Sequence, residues 1–326
     1  MKYRPLGQTG IQVSEIGLGC WQFGGDFGPV ARDEADQTMS AAIAAGINFF
    51  DTADVYGAGQ SEQWIGDYLR KAGKKIFVAT KYGRGGGVFP AGYCLDSMRS
   101  QVLEALKRLQ VPQIDLLQLH CVPTAILQQG VIFDWLRTLQ QEGLVSHFGA
   151  SVESVEEGLL CLQQPGITSL QVIFNIFRQK PAEELFPLAL DKQVGIIVRL
   201  PLASGLLTGK LNRQTTFAET DHRHYNRDGQ CFNVGETFAG LPFETAVDLV
   251  DGLRQFISQD MTMVGMSLRW ILDHQAVTTV IAGARRFDQV RSNAAAADLA
   301  PLSAAVCQQL GDYYRQQVRH HIRGPY

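Results

Sequence analysis

The chain has 326 residues, a formal net charge of -3 and a hydrophobic fraction of 45%. These values are typical of an ordinary globular protein, and the charge gives no electrostatic basis for binding nucleic acid. No apolar run approaches the roughly 18 residues that a membrane span needs, so no membrane association is expected. The six cysteines are scattered without a C-x-x-C pair, which predicts free thiols and a cytoplasmic location.

Short apolar segments alternate with amphipathic segments along nearly the whole chain. Residues 2–14 have the alternation and the turn glycines of a small β-hairpin. Strands are then predicted at 16–20, 48–51, 76–80, 114–119, 147–151, 169–173, 195–200 and 278–281. Helices are predicted at 33–45, 62–69, 96–109, 133–142, 155–163, 182–190, 263–273 and 287–297, with a terminal helix at 303–317.

Eight strand–helix units predict a parallel sheet covered by helices, and in a chain of this length they favour a closed (β/α)8 TIM barrel. The hairpin is expected to plug one end, and the terminal helix to be an addition to the barrel. An open dinucleotide-binding sheet would need G-x-G-x-x-G, but Gln22 stands where the third glycine belongs. We therefore predict one α/β domain over residues 1–326, in which the polar stretch 210–243 is a mobile loop.

Four ionisable side chains follow consecutive predicted strands. Asp51 and Tyr56 come after the second strand, Lys81 after the third and His120 after the fourth. In a TIM barrel these positions converge on one mouth. Each residue also has a structural interpretation, in which Asp51 caps the next segment and Tyr56 packs on the surface.

The chemistry that these groups suit together is proton transfer to a carbonyl oxygen. A free tyrosine has a pKa of about 10, and the ammonium of Lys81 is expected to lower the pKa of Tyr56 by favouring the phenolate. Asp51 would keep Lys81 charged and in place, and His120 would donate a hydrogen bond to the substrate oxygen. A reduction also needs a hydride from a nicotinamide or a flavin, since no side chain supplies one.

A lyase is a second possibility from the same residues. A lysine at the mouth of a barrel also suits a Schiff-base aldolase, with Lys81 as the nucleophile.

The motifs N-F-F-D-T-A with Y-G, then T-K, then L-Q-L-H, resemble those of the aldo-keto reductase family. The resemblance covers essentially the whole chain. It implies a TIM barrel and an NADP(H)-dependent oxidoreductase that interconverts an aldehyde or ketone and its alcohol. It also implies that Tyr56 is the general acid and base, that Lys81 and Asp51 tune it, and that His120 orients the carbonyl. A catalytically weak, cofactor-binding redox-sensor subunit is an alternative within the same resemblance.

The resemblance further implies where the cofactor binds. The ends of the fifth and sixth strands would meet the nicotinamide amide, the loop after the seventh strand would clasp the pyrophosphate, and the start of the last barrel helix would hold the adenosine phosphate. The cofactor contacts implied in this way are Cys20, Trp21, Asp51, Ser151, Gln171, Arg199, Pro201, Leu202, Ser204, Gly205, Leu206, Lys210, Gly283, Arg285, Gln289 and Asn293. Arg285 and Arg286 would pair with a 2′-phosphate, which predicts a preference for NADPH over NADH.

The substrate is expected to be a small-molecule carbonyl compound. The predicted pocket residues are Trp21, Phe23, Tyr56, His120 and Cys121. Arg199 stands where the family commonly has an aromatic residue that stacks on the nicotinamide. A guanidinium plane can also stack, and its positive charge would favour acidic or phosphorylated substrates.

No metal site is expected. His222 and His224 are close in sequence, but they lie in a polar stretch that is expected to be exposed, without a nearby group of carboxylates or thiols. The substrate itself, the preferred direction and the oligomeric state are left open by the sequence.

Overall fold

Eight parallel strands close into a barrel in the computed structural model, which describes residues 1–85 and 87–326. Neighbouring strands in the barrel are also neighbours in sequence, and the first and last barrel strands pair to close it. A separate antiparallel hairpin precedes the barrel. The predicted α/β fold, a (β/α)8 TIM barrel with an N-terminal hairpin, is confirmed.

Every predicted strand is present, within a few residues of its predicted bounds. The hairpin consists of β1 (Tyr3–Pro5) and β2 (Gln12–Ser14). The barrel strands are β3 (Ile16–Gly19), β4 (Phe49–Asp51), β5 (Phe77–Tyr82), β6 (Ile114–His120), β7 (Val145–Ser151), β8 (Ile167–Ile173), β9 (Gly195–Arg199) and β10 (Val277–Gly283).

Helices follow the barrel strands along the chain. They are α1 (Arg32–Ala44), α2 (Gln60–Ala72), α3 (Leu95–Leu109), α4 (Thr124–Gln129), α5 (Val131–Gln141), α6 (Val155–Cys161), α7 (Leu185–Asp191), α8 (His222–Tyr225), α9 (Phe243–Leu253), α10 (Met263–Leu272), α11 (Phe287–Ala295) and α12 (Ala304–Tyr313). The sequence analysis missed α4 and α8, which are too short for a clear periodicity, and α9, which begins at the end of the polar stretch. The terminal helix α12 is present as predicted. Within residues 1–85 and 87–326, no helix has the length and apolar character needed to cross a membrane.

The hairpin plugs one end of the barrel. Leu6 and Val13 pack with the interior side chains Phe49, Leu116 and Ile197 in a buried cluster that is distinct from the main core. The larger core lies between the strands and the surrounding helices. The N-terminal end of the barrel is therefore filled, and the functional groups collect at the C-terminal ends of the strands.

The barrel interior has an apolar layer near the hairpin and a polar layer near the mouth, both formed by side chains that alternate along the strands. Successive side chains of a strand point to opposite faces, so Leu116, Gln118 and His120 on β6 share the interior face. On β4, Asp51 follows the interior residue Phe49 by two positions. On these two strands the interior face thus passes from an apolar residue near the plug to a polar residue near the mouth.

The polar segment 210–243 is folded against the mouth. It contains α8, whose first residue, His222, donates its backbone N–H to the carbonyl oxygen of Asp26 at 2.8 Å. Glu236 and Thr237 of the same segment are buried. The expected mobility of this segment stays a prediction, but the segment has specific contacts with the barrel.

Gly66 sets the distance between α2 and α3. A Cβ atom at this position would lie 2.4 Å from the backbone oxygen of Arg108 and 2.7 Å from the backbone carbonyl carbon of Leu109. The two helices are also joined by an ion pair, in which Arg108 Nε of α3 donates to the buried Glu62 carboxylate of α2 at 2.7 Å. That carboxylate also accepts a hydrogen bond from Thr80 on β5.

Replacing Gly66 by alanine is expected to destabilise the fold by about 1–3 kcal/mol, because the added methyl group meets the backbone of α3. The measurement is the denaturant midpoint at an unchanged m-value. Lys71→Ala, on the exposed part of α2, is the control and should leave the midpoint where it is. A Gly66→Ala midpoint equal to that of the parent would contradict the close packing.

Candidate active site

A buried ion pair joins the ends of β4 and β5. Lys81 Nζ lies 2.5 Å from Asp51 Oδ1 and also donates to the carbonyl oxygen of Thr52 at 2.7 Å. Tyr56 Oη lies 3.3 Å from the same ammonium. Three of the four predicted catalytic groups are thus brought together at the barrel mouth.

The second carboxylate oxygen of Asp51 accepts two amide donors. Gln118 Nε2 lies 3.0 Å from Asp51 Oδ2, and Gln171 Nε2 lies 2.7 Å from the same atom. All three side chains are buried, and a buried carboxylate needs such partners to remain ionised. The sequence analysis overlooked Gln118, although its place two residues before His120 on a strand puts it on the interior face.

The surroundings of Lys81 keep its amine protonated. Burial disfavours the ammonium, but the neighbouring Asp51 carboxylate and the Tyr56 phenol outweigh burial and raise the pKa of Lys81 above its ordinary value. A Schiff base requires the neutral amine as nucleophile. This environment therefore argues against the aldolase alternative.

The pKa of Tyr56 is raised, not lowered. Burial has the largest effect, and it raises the pKa of Tyr56 to about 12, although Lys81 acts in the opposite direction and Asp51 adds to the increase. The expectation that the ammonium brings this pKa below its ordinary value is wrong, because burial of the phenol outweighs the lowering effect of Lys81. At neutral pH the phenol is a proton donor.

His120 completes the group from the end of β6. Its ring centroid lies 6.1 Å from that of Tyr56, with the ring planes at 87°. Burial, together with the cations of Arg84, Lys81 and Arg199, holds the pKa of His120 well below its ordinary range, so the imidazole is neutral. Its Nδ1 is buried and has no hydrogen-bond partner among the described residues, a state that a bound ligand would relieve.

A cavity of about 810 Å³ opens at this group, and this volume is typical of a small-molecule or cofactor pocket. Most of the residues predicted to contact cofactor or substrate line it. They are Cys20, Trp21, Asp51, Tyr56, His120, Cys121, Ser151, Gln171, Arg199, Pro201, Leu202, Ser204, Gly205, Lys210, Gly283, Arg285, Gln289 and Asn293.

Two predicted residues lie elsewhere. The Phe23 ring is fully buried in the main core and packs against Trp64, with ring centroids 6.3 Å apart. The short 3₁₀ turn Trp21–Gly24 leaves Trp21 at the cavity while Phe23 enters the core, which corrects the predicted pocket role of Phe23. The side chain of Leu206 is likewise buried in the core.

The rim of the cavity fits a dinucleotide. Ser204 and Gly205 line it with positive φ angles of 56° and 99°, and this local turn presents backbone atoms to the cavity, with glycine favoured at the second position. Ser151 Oγ lies 3.4 Å from Gln171 Oε1, so a hydroxyl and an amide stand side by side on the wall. These groups, with the unpartnered His120 Nδ1, suit the phosphates and the carboxamide of a nicotinamide cofactor.

Arg285 and Arg286 have different surroundings. Arg285 donates to the carbonyl oxygens of Phe27 and Pro29 at 3.0 and 2.7 Å, so it ties the loop before α11 to the loop after β3. Arg286 is exposed, and its guanidinium pairs with Asp288 at 2.9 Å. Both arginines line the cavity, but Arg285 is bound to backbone carbonyl oxygens, whereas the partner of Arg286 is an exposed carboxylate.

Two arginines and two glutamates form an ion-pair network on the cavity wall. Arg84 lies 2.9 Å from Glu153 and 2.8 Å from Glu236, and Arg199 lies 3.3 Å from Glu236. The sequence analysis missed Glu236 because it belongs to the segment 210–243 and has no motif around it. Since Glu236 neutralises Arg199, the expectation that Arg199 adds uncompensated positive charge near the carbonyl is corrected.

The same network contains a group with metal-ligand spacing. The ligand atoms of Cys121, Glu153 and Glu236 all lie within 4.8 Å of one another. However, Arg84 and Arg199 pair with the carboxylates, and burial raises the pKa of the Cys121 thiol to about 11, which disfavours the thiolate that a metal would bind. The chemistry of this group fits an ion-pair network.

His222 is buried, contrary to the expectation of an exposed stretch. Its ring lies 4.7 Å from that of Trp21 and 4.4 Å from that of Phe27, measured between centroids. With the backbone hydrogen bond to Asp26, these contacts fasten the segment 210–243 to the loop after β3 along one rim of the cavity.

Several known proteins resemble this chain over nearly its whole length. An uncharacterized oxidoreductase of Bacillus subtilis (strain 168), YqkF, is 28% identical over 326 residues, which cover 98% of both chains. A protein of Escherichia coli (strain K12) named NADH-specific methylglyoxal reductase is 29% identical, over 92% of this chain and 94% of that one. The holo structure of an aldo-keto reductase from Bacillus halodurans superposes with a TM-score of 0.77 at 28% identity, over 96% of both chains.

Residues 15–314 match the Aldo/keto reductase family. The matched region includes all eight barrel strands and the four residues predicted to be catalytic. The chain therefore belongs to the aldo-keto reductases, a family of oxidoreductases that use nicotinamide cofactors and act on small-molecule carbonyl compounds.

Proposed function

We propose that this protein is an NADP(H)-dependent reductase that interconverts a small aldehyde or ketone and its alcohol, with Tyr56 as the general acid and base. The observation that carries the proposal is the arrangement of Tyr56, Lys81 and Asp51 at the cavity, beside the neutral imidazole of His120. A protonated phenol that faces a cavity next to a fixed ammonium is suited to protonate a carbonyl oxygen.

Each group has a distinct part in the reaction. A bound reduced nicotinamide supplies the hydride, which no side chain provides. Tyr56 gives its proton to the carbonyl oxygen as negative charge develops there, and the Lys81 ammonium at 3.3 Å stabilises the resulting phenolate. Asp51 fixes Lys81 at 2.5 Å. The neutral His120 donates a hydrogen bond to the same oxygen and orients the carbonyl.

The proposed preference for NADPH rests on Arg286. Its present partner, Asp288, is an exposed carboxylate in a bidentate contact, and a 2′-phosphate offers the guanidinium the same contact geometry with more negative charge. Arg285 is already committed to two backbone carbonyl oxygens and serves to hold the rim. Since the E. coli relative is named NADH-specific, the cofactor preference of this protein has to be measured directly.

Tyr56→Phe is expected to lower the rate of carbonyl reduction by about 10²–10⁴-fold, the usual contribution of a positioned general acid. Cofactor affinity should be retained, because the phenyl ring still fills its place. The assay follows NADPH absorbance with a panel of aldehydes and ketones. Tyr68→Phe, which removes a hydroxyl that bonds Ser40 away from the cavity, should behave like the parent.

Two outcomes of this assay would contradict the proposal. Equal turnover by Tyr56→Phe and the parent would remove Tyr56 from the assigned role. Tight cofactor binding by a parent protein that reduces no compound of the panel would favour the redox-sensor alternative.

The rate of reduction is expected to stay constant from about pH 6 to pH 9, because an acid is supplied as long as the pH is below its pKa. Burial raises the pKa of Tyr56 to about 12, so the protonated phenol is present throughout this range. The measurement is kcat for reduction at saturating cofactor, with a stability check at each pH. A fall in kcat centred near neutrality would show that another group limits the proton transfer.

Arg286→Ala is expected to weaken NADPH binding, because the charge-assisted contact with the 2′-phosphate is lost, with little change for NADH. Arg285→Ala should affect both cofactors alike, because it loosens the rim. Dissociation constants from quenching of protein fluorescence decide between these expectations. If Arg286→Ala loses equal affinity for the two cofactors, the 2′-phosphate contact does not exist.

A further inference from the structure

The ion-pair network on the cavity wall brings together distant parts of the chain. Arg84 follows β5, Glu153 follows β7 and Arg199 ends β9, whereas Glu236 reaches the wall from the segment 210–243. Glu236 is the most deeply buried of the four, with 6% of its side chain exposed against 22% for Glu153. The segment therefore inserts a carboxylate between two guanidinium groups of the barrel.

This carboxylate stands next to the reacting centre. Glu236 Oε1 lies 3.9 Å from Cys121 Sγ, and Arg199 Nη2 lies 3.6 Å from the same sulfur. Cys121 directly follows His120, and both line the cavity together with Arg84, Arg199 and Glu236. A group attached to a substrate carbonyl that contacts His120 can therefore reach the network.

Glu236 is the carboxylate that pairs with both arginines of the network, Arg84 and Arg199. Arg199 has Glu236 as its carboxylate partner among the described residues, and its buried Nε has no hydrogen-bond partner there. Arg84 has a second partner in Glu153, which also accepts a hydrogen bond from Asn233. Without the Glu236 carboxylate, Arg84 would keep only the more exposed Glu153, and the buried guanidinium of Arg199 would lose its carboxylate partner among the described residues.

Two guanidinium groups that both pair with one carboxylate oxygen, as Arg84 and Arg199 do with Glu236 Oε1, form a natural carboxylate site. Glu236 already fills this site, and its own negative charge would repel a second carboxylate in a buried environment. Repulsion between like charges can exclude an anionic compound from a site without any additional contact to a neutral substrate.

We propose that Glu236 is a specificity-determining residue that excludes anionic carbonyl compounds and restricts the reductase to neutral ones. The kinetic test of this inference rests on the proposed function, because it requires a protein that reduces carbonyl compounds at this site. It reverses the expectation, drawn from Arg199 alone, that acidic or phosphorylated substrates are favoured.

The kinetic test compares succinic semialdehyde with its methyl ester, two aldehydes of nearly equal size that differ in one negative charge. The parent enzyme is expected to use the ester with at least a tenfold higher kcat/KM. Glu236→Gln should reduce that ratio at least tenfold, chiefly by lowering KM for the acid, because the guanidinium groups become available to it. Equal use of both compounds by the parent would overturn the proposal whether or not any variant folds.

Two matched variants separate charge from structure. Glu236→Asp keeps the negative charge and should still reject the acid. Glu244→Gln removes an equal charge from an exposed position that pairs with Arg227 outside the cavity, and it should match the parent. If Glu236→Gln, shown to be folded by its thermal transition, loses activity equally toward acid and ester, the residue is structural and the proposal is wrong.

A binding measurement makes the test independent of turnover. Calorimetric titration of succinate into the cofactor-loaded protein should show binding to Glu236→Gln at least tenfold tighter than to the parent. If the parent reduces neither these aldehydes nor any compound of the carbonyl panel but this difference in binding is present, the reductase proposal fails and the exclusion of anions by Glu236 stands. If succinate binds both proteins alike, the role of Glu236 fails even if both aldehydes are reduced.

Discussion

The buried carboxylate of Asp51 is the group on which the rest of the site depends. It accepts hydrogen bonds from the Lys81 ammonium and from the amides of Gln118 and Gln171, which come from three other strands. Removing one partner of such a buried pair typically costs about 3–5 kcal/mol, because a charge is left uncompensated away from water. The alignment of β4, β5, β6 and β8 at the mouth is therefore held by a polar interaction as well as by hydrophobic packing.

The same interaction determines where the protons are. Burial keeps the Tyr56 phenol protonated against the opposing effect of the Lys81 ammonium, and Asp51 adds to the effect of burial. Burial also keeps the His120 imidazole uncharged. Tyr56 and His120 thus stand at the cavity as an uncharged proton donor and an uncharged hydrogen-bond donor. Stabilisation by the ammonium increases when negative charge moves onto the phenol oxygen, and an interaction that strengthens along the reaction is what accelerates it.

The sequence predicted the barrel because its signals are local and repeated. Each strand–helix unit has its own periodicity, and residues at strand ends, such as Lys81 and His120, must meet at the mouth once eight units are recognised. Gln118 follows the same alternation and was within reach of that reasoning. The pKa of Tyr56 could not be predicted in this way, because it depends on how deeply the phenol is buried. The position of Phe23 could not be predicted either, because it depends on the direction in which a short 3₁₀ turn points the ring.

Glu236 marks the limit of sequence reasoning on this fold. Barrel strands position their own side chains by register, but a long connecting segment positions a side chain through tertiary contacts, here through Asp26 and the buried ring of His222. From the sequence alone, Arg199 indicates an anion-binding pocket. In the structure the Glu236 carboxylate compensates its charge, so Arg199 belongs to an ion-pair network. In the proposed mechanism the barrel strands hold the groups that transfer the proton, whereas the segment 210–243 supplies the carboxylate proposed to select substrates by charge. The two properties would then be able to change independently of one another.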